Sequence, residues 1–258
     1  MGFQIGKFTI PYYGLCIGTG VLVAALVGCI LVRRFHKKYD DFIALAACAA
    51  LGGLLGAKLL YLVVSWKDID FSRLTDRAYL SIWLSGGFVF YGGLIGGLIG
   101  VFFCWKIFHI QVLEYASIGI PCIPIVHAFG RMGCSAVGCC YGRPYTGMGA
   151  ITYTESLIAP NHIALFPVQM TEAMCNLVIA VILIVYICRK QRKTRNSLLL
   201  YLMLYAPVRF VLEYFRYDDA ERGIIHGFST SQWISMFVFG TALLCYIIRK
   251  RKKSTKNL

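Results

Sequence analysis

Gly130-Arg131-Met132-Gly133-Cys134-Ser135-Ala136-Val137-Gly138-Cys139-Cys140-Tyr141-Gly142 closes a long apolar run and opens a Gly-rich, polar one. It leaves a permanent cation, Arg131, at the end of an apolar segment, where a charge is costly unless an anion meets it. Small residues at 130, 133, 138 and 142 let the backbone bend and approach a ligand. The segment therefore reads as a holder for the phosphate of a lipid headgroup, with the Arg131 guanidinium supplying bidentate hydrogen bonds.

The surrounding chain fits that reading. Of 258 residues, 58% are hydrophobic and only 15% charged, and the mean hydropathy is +0.67. A soluble domain is nearer half apolar and a quarter charged. The apolar runs are long enough for helices to cross a bilayer, and the short alternating segments of a transmembrane barrel are not evident. The expected fold is an all-α integral membrane protein, a single polytopic domain over 1–258 with seven transmembrane helices. The spans are expected near 11–32, 42–66, 88–106, 112–133, 167–189, 198–215 and 228–248. The first is read as a retained span rather than a removed signal.

The net charge of +14 does not read as nucleic-acid binding. Its basic residues concentrate beside apolar runs, at Arg33 to Lys38, Arg189 to Arg195 and Arg249 to Lys253, as cytoplasmic flanks do. Alternate loops then face inward, with the N-terminus outside and a basic cytoplasmic tail over 249–258. Residues 134–166 form the longest polar loop, an extracytoplasmic head, and the acidic turn 218–221 lies on the same side. Lys58, inside the second span, is expected to snorkel outward. Gly52-Gly53-Leu54-Leu55-Gly56 and Gly92-Gly93-Leu94-Ile95-Gly96-Gly97 permit close helix packing. Pro121 and Pro124 free backbone carbonyls within the fourth span.

Fixed charges near outer span ends are the candidate site: Arg131, Arg209 and Glu213, with Glu172, Lys58 and His127. Arg209 and Glu213 are four apart on one helical face and can pair. His127 lies one turn before Arg131, so either it is neutral or an anion sits between them. Two arginines converging from different helices would clamp a lipid phosphate. Tyr91, at the outer end of its span, is a proton relay or a plain interfacial anchor. For Cys134, Cys139 and Cys140 three readings stand. They are a metal site with His127 as fourth ligand, an outward-facing disulfide, or packing and substrate contact. The last is preferred, so no metal and no cofactor is expected. Rival functions are a transporter or channel lined by the charges and a thiol sensor built on the cysteines.

In order along nearly the whole chain, these residues resemble the prolipoprotein diacylglyceryl transferase family. The resemblance rests on Tyr12-Tyr13-Gly14-Leu15, Gly56-Ala57-Lys58 with Tyr61, Gly92-Gly93-Leu94-Ile95-Gly96 and the signature Gly130-Arg131-Met132-Gly133. Pro167-Val168-Gln169 with Glu172, Arg209 with Glu213 and Arg216, and Ser231-Gln232 complete it. It implies seven helices with a periplasmic head in the bacterial cytoplasmic membrane. The implied reaction moves the diacylglyceryl group of phosphatidylglycerol onto the lipobox cysteine of prolipoprotein signal peptides, releasing glycerol phosphate. The candidate catalytic set is Arg131, Arg209 and Glu213, implied by the resemblance, with Tyr91 at a family His position and His127 as the substitute for that missing base. The implied phosphatidylglycerol-binding set is Arg131, Arg209, Tyr13, Gly142, Cys134 and Cys139. Arg131 would bind the phosphate, Arg209 would stabilise it as it leaves, Glu213 would orient the headgroup and Tyr13 would line the site. This chain departs from the family pattern in four places. Lys58 stands for an Arg, Tyr91 for a His, Cys134 for an Asn and Cys139 for a Glu.

Overall fold

Proline-free apolar runs fold as long helices here, and the breaks fall where proline, glycine or charge interrupts them. The structure, a computed structural model, describes residues 2–5, 8–73, 75–189, 196–217 and 223–254. The basic run 190–195, the acidic turn 218–221 and the tail tip 255–258 lie outside the described residues. Two short strands, β1 (Gly2–Ile5) and β2 (Phe8–Pro11), pair antiparallel ahead of α1 (Tyr12–Arg34). There follow α2 (Tyr39–Val64), two 3-10 turns, α3 (Arg77–Ser85), α4 (Phe90–Phe108), α5 (Val112–Gly119) and α6 (Cys122–Val137). A loop carrying β3 (Ile151–Thr152) and β4 (Ala164–Leu165) leads to α7 (Val168–Arg189) and α8 (Ser197–Glu213). The hairpin β5 (Ile224–Ile225) and β6 (Phe228–Ser229) then opens α9 (Thr230–Ser254).

Five of these helices, α1, α2, α4, α7 and α9, are long and apolar enough to cross a membrane. A sixth candidate is the pair α5 and α6, bent by 46°, where Gly119, Ile120 and Pro121 break the helix. The expected straight span at 112–133 is thus two helices. Its cause is in the sequence: proline removes an N–H and its ring clashes with the preceding turn. The remaining expected span, near 198–215, is α8, with 17 residues. The chain is therefore a multi-pass helical membrane protein with five to six candidate spans.

The helices divide into two units, Val32–Tyr115 and Met1–Leu31 with Ala116–Leu258. In the first unit, α2 packs on α4 through the two glycine-rich stretches. A Cβ on Gly96 would lie 2.2 Å from the Gly52 carbonyl oxygen, and one on Gly56 would lie 2.3 Å from that of Gly92. Only hydrogen fits at such backbone contacts. Lys58 corrects one expectation. Rather than snorkelling, its Nζ donates to the carbonyls of Trp83 and Gly86 at the end of α3, where a cation also meets the negative end of the helix dipole. Gly96→Ala is expected to lower the thermal midpoint of the purified protein, overpacking of this kind costing about 1–3 kcal/mol. Gly18→Ala, with open space around its Cβ, is expected to leave the midpoint unchanged or raised.

In the second unit, α7 is the central helix. Ile179 and Leu183 pack with Ile120 and Tyr201, and Ala180 packs with Ala24 and Ile125. One helix face thus touches α6 and α1, and the next touches α8. Charges carried by α6, α7 and α8 are brought together by this packing.

Candidate functional site

The buried charges of the second unit form two linked groups. In the first, Arg131 of α6 points its Nε at Oε2 of Glu172 on α7, 3.0 Å away. His127 Nε2 lies 3.5 Å from the other oxygen, Oε1, and Tyr205 of α8 donates its hydroxyl to that same oxygen at 3.0 Å. The Tyr205 ring also meets the imidazole edge-on, 5.3 Å between centroids. The anion required between His127 and Arg131 is therefore Glu172, whose side chain is 2% exposed. This corrects the expectation that only a lipid anion meets Arg131. The Arg131 contact is an ion pair, and its Nε is buried without a hydrogen-bond partner among the described residues.

The second group runs along α8. Arg209 and Glu213 pair as their spacing predicts, Nη2 to Oε2 at 2.8 Å. Arg209 Nη2 also donates to Ser231 Oγ of α9 at 3.0 Å. Its Nη1 is buried with no hydrogen-bond partner among the described residues. Arg216 comes to 3.8 Å from the same Glu213 oxygen. Glu213 and Arg216, with Arg143, line a cavity of about 390 Å³ walled further by Tyr217, Ser229 and Gln232. That volume falls in the range of small-molecule sites. A buried N–H donor without an acceptor costs free energy, about 1–3 kcal/mol and more for a charged group. A buried cationic donor of this kind is suited to receive an anion.

The polar loop after α6 is ordered by its own hydrogen bonds. Gly138, at a φ of 83°, ends α6, and its N–H and that of Cys139 both donate to the Cys134 carbonyl. Gln169 Nε2 donates to the Cys139 carbonyl at 3.0 Å, and Tyr153 donates its hydroxyl to the Ser135 carbonyl at 2.9 Å. Gly142 bridges to Arg216, and a Cβ there would lie 2.3 Å from the Phe166 carbonyl oxygen. Backbone contact with Phe166, rather than approach to a ligand, thus accounts for that glycine. Gly133 has a similar role: its Cβ would lie 2.9 Å from the Tyr13 ring, so the missing side chain lets Tyr13 lie against the signature helix.

The sulfurs of Cys134, Cys139 and Cys140 all lie within 4.8 Å of one another, and all eleven cysteines are free thiols. His127 is not among the groups gathered there, because it faces Glu172 instead. Hydrogen bonds from the Cys134 and Cys139 thiols, backed by the Arg216 and Arg131 charges, push the Cys140 thiol down. Hydrogen bonds to Cys134 and Cys140 push the Cys139 thiol up.

The second unit thus brings together Tyr13, His127, Arg131, Cys134, Cys139 and Gly142 around one helix end, and Arg209 with Glu213 on α8. Tyr91, 51% exposed, belongs to the first unit. Sequence reasoning missed Tyr205, and it named Gln169 only within the resemblance, without a role. Tyr205 was within reach, since Tyr201, Tyr205, Arg209 and Glu213 recur at four-residue spacing and so share one face of α8.

Comparison with known proteins gives a consistent result. The sequence model of the family described as prolipoprotein diacylglyceryl transferase matches residues 1–248. The phosphatidylglycerol–prolipoprotein diacylglyceryl transferase of Clostridium tetani is 33% identical over 254 residues, covering 97% of this chain and 98% of that protein. The phosphatidylglycerol–prolipoprotein diacylglyceryl transferase 2 of Clostridium perfringens is 31% identical, with 96% and 94% covered. The corresponding protein of Dehalococcoides mccartyi strain 195 is 29% identical, with 98% and 94% covered.

Proposed function

The chain belongs to the prolipoprotein diacylglyceryl transferase family, and from that premise we propose that it moves the diacylglyceryl group of phosphatidylglycerol onto the lipobox cysteine of prolipoprotein signal peptides. This is the first step of bacterial lipoprotein maturation. A sulfur–carbon bond forms at the glyceryl carbon, the carbon–oxygen bond to phosphate breaks, and glycerol phosphate leaves. The acceptor thiol gives up its proton, since the thiolate is the nucleophile.

The observation that carries the reading is Arg209 Nη1, a buried guanidinium donor with no hydrogen-bond partner among the described residues. In this reading the phosphate of phosphatidylglycerol is its acceptor. Arg131 holds the phosphate from α6, and Arg209 takes up the charge that grows on it as the ester bond breaks. Donors set in place before reaction stabilise such charge without reorganising, and a site that excludes water strengthens them. Glu213 fixes the Arg209 fork, and Glu172 fixes that of Arg131. Tyr13 lines the site beside Gly133, with Cys134 and Cys139 at substrate-contact positions. Tyr91 and His127 are the candidates for the thiol proton. In favour of His127 is the carboxylate it shares with Arg131.

The setting belongs to the same proposal. Seven spans, counting the bent pair as one and α8 as another, place the N-terminus outside and the basic tail in the cytoplasm of a bacterial cell. The cytoplasmic membrane then contains one polytopic domain with loop 134–166 as its extracytoplasmic head. Because α8 has 17 residues, the lower limit for a span, the bilayer beside it is expected to be thin or the helix upright.

Incubation with phosphatidylglycerol and a lipobox peptide tests the reading directly. The peptide is expected to gain the mass of one diacylglyceryl unit on its cysteine, and to gain nothing when that cysteine is serine. Phospholipid or solute flux in liposomes without any such gain would support the transporter instead.

A further inference from the structure

We propose that Cys134, Cys139 and Cys140 form a tris-thiolate site for a thiophilic d10 metal ion, with zinc as the reference case. The site stands on its own geometry and does not depend on the transferase reading. Three sulfurs already lie within 4.8 Å of one another. Tetrahedral zinc with bonds of about 2.3 Å to sulfur needs them about 3.8 Å apart, so the closure required is at most about 1 Å.

The ligand-bearing backbone is held in place before any ion arrives. Cys134 lies in the last turn of α6, and Cys139 and Cys140 follow its left-handed end at Gly138. The Cys139 carbonyl is fixed by Gln169 of α7. Tyr141 receives the Tyr217 N–H on its carbonyl, and Gly142 bridges to Arg216. Cys140 itself takes a φ of 57°, a left-handed conformation uncommon outside glycine. Such conformations are costly and concentrate at ligand clamps. A merely packed thiol gives no reason for one.

Donor type and charge select the ion. Three sulfurs exclude magnesium and calcium, which take oxygen ligands, and favour zinc, cadmium or monovalent copper. Three thiolates around a divalent ion leave one net negative charge. Arg216, whose backbone bridges to Gly142 two residues beyond Cys140, brings a cation to the loop that carries that charge. Three protein ligands leave a fourth, open position, the pattern of reactive rather than closed structural sites. A disulfide is the competing fate, and it would consume two of the same three sulfurs.

The test uses the full-length, reduced protein in detergent with cadmium as probe. One equivalent is expected to bind with a thiolate-to-metal charge-transfer band in the ultraviolet. Cadmium, the softer ion, is expected to displace zinc from the zinc-loaded protein, and the band is expected to vanish in Cys139→Ser and in Cys140→Ser. Cys245→Ser, at an exposed cysteine, is expected to keep it. X-ray absorption on the zinc-loaded wild-type protein makes the test independent of variant folding, with three sulfur scatterers at about 2.3 Å expected. An undiminished band in the Cys139→Ser/Cys140→Ser double variant would overturn the proposal. So would a zinc shell dominated by nitrogen and oxygen, or a disulfide within the trio that persists under reductant.

Discussion

Arg131→Gln is expected to lower diacylglyceryl transfer at least ~100-fold, the scale on which removing one preorganised charge donor acts. The variant alone is ambiguous, because it also leaves Glu172, a buried carboxylate, without its guanidinium. Breaking a buried pair from one side costs about 3–5 kcal/mol. Here the cost should fall at the lower end, since Tyr205 still donates to Glu172. The Arg131→Gln/Glu172→Gln double variant separates the two effects. It removes both charges at once, so most of the lost stability is expected to return while transfer stays abolished. Thermal unfolding and the peptide-lipidation assay read the two quantities. A double variant that recovered transfer would assign Arg131 to holding Glu172 and nothing more.

Arg209→Lys is expected to have the second largest effect. Lysine keeps the positive charge towards Glu213 and lacks the planar fork. The donor that disappears is Nη1, which has no hydrogen-bond partner among the described residues. Stability is therefore expected to change by less than about 1 kcal/mol, while kcat/KM falls roughly 100-fold. Ser231→Ala removes only one of the two partners of Nη2 and is expected to leave most of the transfer rate. Equal losses in these two variants would show that Arg209 acts through its protein contacts and not through a ligand.

Features that depend on local spacing were legible in the sequence. The Arg209–Glu213 pair follows from one helical turn, and close packing by α2 and by α4 from their glycines, though not that the two helices pack on each other. Pro121 and Pro124 were legible as residues that free carbonyls, but the break between α5 and α6 and its 46° angle were not, since 112–133 was expected as one span. Features that depend on packing between distant helices were not legible. Nothing near Arg131 in sequence announces Glu172, because only the packing of α6 on α7 brings them together. Lys58 had no visible partner for the same reason, since its acceptors are carbonyls that exist only once α3 has formed and ended. The cysteine trio was half legible. Cys139 and Cys140 are neighbours by sequence, but the left-handed residue at Gly138 is what turns the loop back on Cys134.

On the proposed reading, a lipid phosphate completes the guanidinium donors that have no hydrogen-bond partner among the described residues. Native mass spectrometry of the purified protein, offered equal amounts of phosphatidylglycerol and diacylglycerol, tests it most directly. The prediction is that phosphatidylglycerol is retained in preference to diacylglycerol, and that Arg209→Lys and Arg131→Gln/Glu172→Gln lose the preference while staying folded. Equal retention of the two lipids by the wild-type protein, or an unchanged preference in both variants, would contradict it.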